Sequence, residues 1–319
     1  MDRIRDFDEL HEMARRITAG KPPVKVVLSG AEDESGLIAL EQARANGSVS
    51  PILAGEKVEI LDIMARLGID PAGYMIHDEP DDDKKAELAV GLVKGGEAEV
   101  LMKGLISTST FLKPVFNRET GLLSGRFISH TGVLHVPGMD RLIIQTDGAI
   151  NIHPDMEKKK GIIINAVFVA HLLGIERPKV ALIAATEKVH PKMPVTVEAS
   201  ELAGWAKDAV KDADVDGPMG LDIAVSPEAA QSKGYGGAVA GYADVLVAPC
   251  IEVGNVIYKS LRHFAHAEGA GLIVGAGCPI LLASRSDPPR EKINSIALGV
   301  LYACRKDRSC GERWEIRGA

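Results

Sequence analysis

The 319-residue chain is poor in cysteine and in aromatic side chains. Its four cysteines, Cys250, Cys278, Cys304 and Cys310, include no C-x-x-C pair, which excludes zinc-ribbon and thioredoxin-type readings and gives no disulfide framework. Reduced thiols of this kind suit a cytoplasmic protein. Aromatics make up 4% of the chain, too few for base-stacking platforms. Basic residues are also short: 37 Lys and Arg face 44 Asp and Glu, a net charge of −7, so nucleic-acid binding is disfavoured as a class. No apolar run reaches the length of a membrane span. The N-terminus, MDRIRDFDELHEMARR, is charged and reads as an amphipathic helix with no apolar signal core behind it. G-x-G-x-x-G, Walker A and G-x-S-x-G motifs are all missing, so dinucleotide, P-loop and nucleophile-elbow chemistry lack their signatures.

What remains is a chain with 46% hydrophobic and 25% charged residues, able to bury large cores. At about 150 residues per domain its length predicts two domains. Short β-branched runs alternate with longer helical patterns: strands at Val24–Leu28, Pro51–Ala54, Tyr74–Ile76 and Glu99–Lys103, with helices near 35–46, 57–67 and 84–94. Asp81-Asp82-Asp83 precedes the third of these helices and reads as a solvated cap. The alternation predicts α/β architecture with parallel sheets. The segment Gly121–Asp140, rich in Gly, Ser and His, breaks the rhythm and reads as irregular. The pattern then resumes with strands at Leu142–Thr146, Val180–Ala184, Asp244–Val247 and Gly271–Val274, apolar segments Leu221–Ala224 and Ile280–Ala283, and helices near 155–173, 196–210, 227–233, 255–265 and 289–304. These breaks divide the chain into a first domain of residues 1–138 with 284–319 and a second of 139–283.

Open α/β sheets bind ligands at the carboxyl ends of their strands, so the strand-to-helix loops carry the functional expectations. Lys103-Gly104 ends a strand, Ser107-Thr108-Ser109-Thr110 opens the next helix, and Lys113 follows within it. Hydroxyls, helix N–H groups and lysines make an anion site, although helix capping alone also explains Ser and Thr there. Ser129-His130 beside Arg126 suits the hydrogen-bonding wall of a pocket better than a nucleophilic triad. Asp216-Gly217-Pro218 reads first as a turn. Asp216, Asp222 and Glu252 have no histidine at ligand spacing, so no metal site is expected. Pro249 to Gly254 forms a ligand-loop candidate after a buried strand, with Asn255 opening a helix that bears Lys259. Gly275-Ala276-Gly277 and Ser284-Arg285-Ser286-Asp287 bracket an apolar run. Arg285 offers a planar fork for a phosphate, Ser284 a hydroxyl, and the following helix its positive dipole end. A capping serine beside an exposed arginine is the alternative.

At these loops the sequence resembles the phosphate acetyl/butyryltransferase family, on its butyryltransferase side. The resemblance rests on Met102-Lys103-Gly104-Leu105, Thr110-Phe111-Leu112, Ser129-His130, Pro191-Lys192-Met193-Pro194, Asp216-Gly217-Pro218, Glu252 to Lys259, Ser284-Arg285-Ser286-Asp287 and Asn294 to Leu298, in shared order. It implies two three-layer α/β domains of the isocitrate/isopropylmalate dehydrogenase type with the active site in an interdomain cleft. It implies reversible conversion of acyl-CoA and inorganic phosphate into acyl phosphate and CoA by a cytoplasmic homodimer or larger homo-oligomer. CoA is then a co-substrate, with no metal and no permanently bound cofactor. By matching position, Ser284 hydrogen-bonds the reacting acyl or thiol group and Arg285 binds phosphate. Lys113 stands where related acetyltransferases carry arginine and is a second phosphate contact. The resemblance adds Lys103, Thr110, Ser129, His130, Asp216, Asn255, Lys259 and Gly277 as substrate-binding positions. The pattern departs at Pro288-Pro289-Arg290, where butyryltransferases keep a glutamate at the place of Arg290. Glu291 stands where acetyltransferases carry a proposed general base, and Asp287 is the alternative. A silent CoA-ester-binding regulator and, below it, a nicotinamide-dependent decarboxylating dehydrogenase are the competing readings.

Overall fold

The structure, a computed structural model, describes residues 2–284 and 287–309. Its elements run α1 (Phe7–Thr18), β1 (Val24–Ser29), α2 (Glu34–Ala45), β2 (Val49–Gly55), α3 (Lys57–Leu67), β3 (Met75–Asp78), α4 (Asp82–Lys94), β4 (Val100–Lys103) and α5 (Thr108–Val115). They continue with β5 (Ser129–His135), β6 (Leu142–Thr146), α6 (Met156–Leu172), β7 (Lys179–Ile183), α7 (Pro194–Ala209), β8 (Asp214–Met219), α8 (Leu221–Val225) and α9 (Pro227–Ser232). The last are β9 (Val245–Val247), α10 (Ile251–Phe264), β10 (Glu268–Val274), β11 (Ile280–Leu281) and α11 (Pro289–Ser309). Among the described residues, no helix is long and apolar enough to cross a membrane.

The chain separates into two compact units. One, the split unit, holds residues 8–126 and those from 270 onward; the other, the central unit, holds 127–269 with the first seven residues. The division therefore falls before β5 and within β10, not near 138 and 283. The reason is strand pairing. β5 pairs antiparallel with β6, which draws residues 127–138 into the central unit. β11 pairs parallel with β4 and antiparallel with β10, which draws 270–283 into the split unit.

In the split unit the strand order is β3-β2-β1-β4-β11-β10, parallel except for β10. β1 reads VKVVLS and is buried at all but one position, as a parallel strand covered on both faces requires. Asp33 caps α2 by accepting the Gly36 N–H, and Asp81 caps α4 by accepting the Lys84 N–H at 3.0 Å, the role its charge run suggests. α3 ends on Gly68 at φ 69°, a conformation glycine adopts without strain. α11 packs on α2, burying Ile296, Leu298, Val300 and Leu301.

In the central unit the order is β5-β6-β9-β7-β8, with β5 antiparallel and the rest parallel. α6 is buried along most of its length, from Ile162 to Ala170. The segment expected to be irregular thus contains a buried strand, β5, whose Val133 and Leu134 are fully inaccessible. Asp216-Gly217-Pro218 lies inside β8 and not in a turn between helices, and Gly217–Pro218 is cis. Proline fits there because β8 is the edge strand and its register against β7 shifts at this point. Leu221–Ala224 is helical, within α8.

Candidate active site

At the carboxyl edge of the split unit, β1, β4 and β11 lie side by side and run the same way. The loops after them hold most of the sequence-predicted catalytic set. Gly104 and Leu105 donate backbone N–H bonds to Ser29 and Gly30, both at 2.8 Å. Gly104 has to be glycine: a Cβ there would lie 2.1 Å from the Gly30 carbonyl oxygen. Lys103, at the end of β4, is 3% exposed and donates from Nζ to the Gly104 carbonyl at 3.2 Å. Ser107 caps α5: its Oγ accepts the Thr110 N–H at 3.0 Å and lies 2.8 Å from Thr110 Oγ1. Lys113 is exposed and bonded to Asp83 at 3.1 Å, and this contact raises its pKa above that of an ordinary lysine.

Three residues beyond β11, Ser284 is exposed, and its N–H donates to Asp287 Oδ2 at 2.6 Å while the Asp287 N–H returns to the Ser284 carbonyl at 3.2 Å. Ser284 and Asp287 are therefore joined by two hydrogen bonds. Arg285 lies outside the described residues. Glu291, in the first turn of α11, is 6% exposed. Gly277 is not brought to this edge. It precedes β11 while Ser284 follows it, so it stands at the opposite strand end, where its N–H donates to Leu122 at 2.7 Å.

Sequence reasoning missed the charges buried behind this edge. Lys292, 1% exposed, pairs with Asp33, and Lys85 pairs with Glu32 at 2.7 Å. The signal available for Lys292 was a charge one turn before the apolar run of α11, which the neighbouring Glu291 obscured; Lys85 was hidden in the charged start of α4. Ser29 Oγ, at the end of β1, is buried and has no hydrogen-bond partner among the described residues.

The central unit has its own carboxyl edge. Because β5 runs against β6, its first residues meet the end of β6: Thr131 faces Thr146. The hub is Asp147, 2% exposed, which follows the cis Thr146–Asp147 bond. Its carboxylate accepts from the N–H groups of His130, Ala149 and Ile150 at 3.0, 2.9 and 3.0 Å, and from Asn151 Nδ2 at 2.7 Å. Ser129 is fully buried and its Oγ accepts from Asn165 Nδ2 at 2.8 Å. His130 is also buried, and burial pushes its imidazole below the ordinary histidine value against the pull of Asp147. His130 Nδ1, Thr131 Oγ1 and both amide atoms of Gln145 are buried without hydrogen-bond partners among the described residues. Buried polar groups are mostly satisfied, so this concentration marks a place built for polar contact.

α10 begins at Ile251, not at Asn255, because extended Cys250 already ends the loop after β9. Asn255 lies one turn inside and donates from Nδ2 to the Gly148 carbonyl at 3.1 Å. Gly254 permits this approach: a Cβ would stand 2.3 Å from the Asp147 carbonyl oxygen. Lys259 is exposed on the same helix. Asp216 is half-buried on β8; burial, then the charge of Asp216, pushes the Tyr235 phenol up to about 12. Asp147, Gln145 and Asn151 escaped sequence reasoning; the Asp-Gly directly after a buried strand was the available signal for the first.

A model of the phosphate acetyl/butaryl transferase family matches residues 82–300. The chain is 42% identical over 304 residues to the phosphate butyryltransferase of Clostridium acetobutylicum, covering 95% of this chain and 100% of that one. It is 36% identical over 301 residues to a phosphate acetyltransferase of Rhizobium meliloti, covering 94% of each. A solved branched-chain phosphotransacylase from Enterococcus faecalis is 34% identical with a TM-score of 0.79, covering 88% of this chain and 99% of that one. Fold and likeness together define an acyltransferase. The chain belongs to the phosphate acetyl/butyryltransferase family.

Proposed function

We propose that this protein interconverts a short-chain acyl-CoA and inorganic phosphate with an acyl phosphate and CoA. The observation that carries the reading is identity of 42% across 95% of the chain with a phosphate butyryltransferase. In the direction that forms acyl-CoA from acyl phosphate, the CoA thiol passes its proton to a carboxylate, because the thiolate is the nucleophile. The sulfur attacks the acyl carbon, a tetrahedral oxyanion forms, and the carbon–oxygen bond to phosphate breaks as phosphate leaves. The reverse direction retraces these steps.

The carboxyl edge of the split unit supplies groups suited to that chemistry. Ser284 offers a hydroxyl to the reacting acyl or thiol group, and Arg285 and Lys113 hold phosphate. Lys103 and Thr110 stand where β4 meets the amino end of α5, whose dipole favours an anion. Glu291, in the first turn of α11, is the candidate base, and Asp287, hydrogen-bonded to Ser284, is the alternative. In the central unit Ser129, His130 and Asn255 shape the backbone around Asp147, and with Lys259 and Asp216 they are that unit's own candidate substrate contacts. The reading carries a dehydrogenase-like α/β fold, a cytoplasmic homo-oligomer and CoA as co-substrate.

The test is thiol release from acetyl-, propionyl- and butyryl-CoA with and without phosphate. Phosphate-dependent release, greatest with one chain length, is the expected outcome. CoA-ester binding with no release from any of the three would overturn it in favour of a regulator. Glu291→Gln and Asp287→Asn then separate the two bases: the true one loses about 10²-fold or more in rate.

A further inference from the structure

The sequence gives Glu252 no histidine at ligand spacing, but the fold supplies one. His153, Cys250 and Glu252 place a ring nitrogen, a thiol sulfur and a carboxylate oxygen all within 4.8 Å of one another. His153 Nε2 is 3.6 Å from Glu252 Oε1. The two backbone segments that carry them are fastened together. The Ile251 N–H donates to the Ile152 carbonyl at 3.0 Å, so Cys250 and Glu252 flank one end of that bond and His153 adjoins the other. Asn255 Nδ2 to the Gly148 carbonyl, at 3.1 Å, is a second clamp between the same segments.

A tetrahedral ion with bonds of about 2.0–2.3 Å holds its ligand atoms about 3.5 Å apart. His153 Nε2 and Glu252 Oε1, at 3.6 Å, already stand near that value, and both side chains lie on the surface, 73% and 60% exposed. The donor set is selective. Calcium and magnesium take oxygen ligands, whereas a thiolate with an imidazole and a carboxylate suits a borderline-soft ion. Three protein donors leave a fourth position for water or an outside ligand.

We infer that His153, Cys250 and Glu252 form a surface site for a divalent cation of the zinc type. Cobalt(II) is the probe, added to the full chain under reducing conditions. The expected result is a sulfur-to-cobalt charge-transfer band that saturates at a single ion per chain and is displaced by zinc. Cys250→Ser abolishes the band, and His153→Ala weakens cobalt binding by at least about tenfold. Cys278→Ser, at a buried cysteine that belongs to the split unit and not to the cluster, keeps it. Unchanged circular dichroism shows that each variant folds. No band in the parent protein, a band that survives Cys250→Ser, or unaltered affinity in His153→Ala overturns the site.

Discussion

At the carboxyl edge of the split unit the candidate groups Lys113 and Ser284 face solvent, while at the corresponding edge of the central unit Ser129, His130 and Asp147 are 0%, 7% and 2% exposed. Both edges hold the ends of parallel strands and the loops after them, and the central edge adds the start of antiparallel β5. They differ in where charge is kept. The split edge presents a cation and hydroxyls outward and hides its paired charges behind them. The central edge folds its polar groups inward around one carboxylate. A buried network holds only if its members are satisfied, so it tolerates little change, whereas an exposed ion pair contributes little to stability. Chemistry and stability should therefore separate by edge.

The largest effect is expected behind the split edge. Lys292→Met leaves Asp33 charged and unpaired in the interior and lowers unfolding free energy by about 3–5 kcal/mol in a urea titration. Adding Asp33→Leu restores much of it; a double variant as unstable as the single one would mean that packing, not the ion pair, matters there. Asp147→Ala removes an acceptor of four hydrogen bonds and costs about 3 kcal/mol by the same measurement. A loss below about 1 kcal/mol would dissolve the contrast between the edges. Gly254→Ala forces a methyl against the Asp147 carbonyl and costs about 1–3 kcal/mol.

A smaller effect sharpens the comparison through pH. His130 has a folded pKa below its ordinary value of 6.5, so the unfolded chain takes up a proton first as pH falls. Its contribution is fully present above about pH 6.5 and is lost toward the lower folded value, with a slope of at most about 1.4 kcal/mol per pH unit. His130→Gln should flatten the acid side of a melting-temperature profile between about pH 7 and pH 5. A slope equal to that of the parent would show that His130 is accessible to protons in the folded state. The smallest change in stability is Lys113→Met, which should leave the urea midpoint essentially where it is, because its partner Asp83 is also exposed. The same variant should raise the KM for phosphate several-fold; an unaltered KM would remove Lys113 from the phosphate site.

Periodicity placed α3 at 57–67 and the Asp81 cap correctly because both are local: a helical face and a carboxylate three residues from an N–H. β5 and β8 were illegible for the opposite reason. Gly-, Ser- and Pro-rich segments carry weak strand propensity, and they are strands because β6 and β7 offer edges to pair with. At the site, Lys103, Ser107 and Ser284 could be read from their strand-to-helix context. Asp147 could not, since a lone Asp-Gly does not reveal that four donors from β5 and its own loop converge on it.

By itself the sequence determined the alternating α/β class, the helix caps and the loops that carry hydroxyls and cations, because each depends on residues a few positions apart. Tertiary structure alone decided where the chain divides and that Gly277 stands at the other strand end from Ser284. It also decided which charges are buried and that His153 meets Cys250 and Glu252. Those outcomes depend on strand order and direction, and pairing between distant segments leaves no periodic mark in the chain.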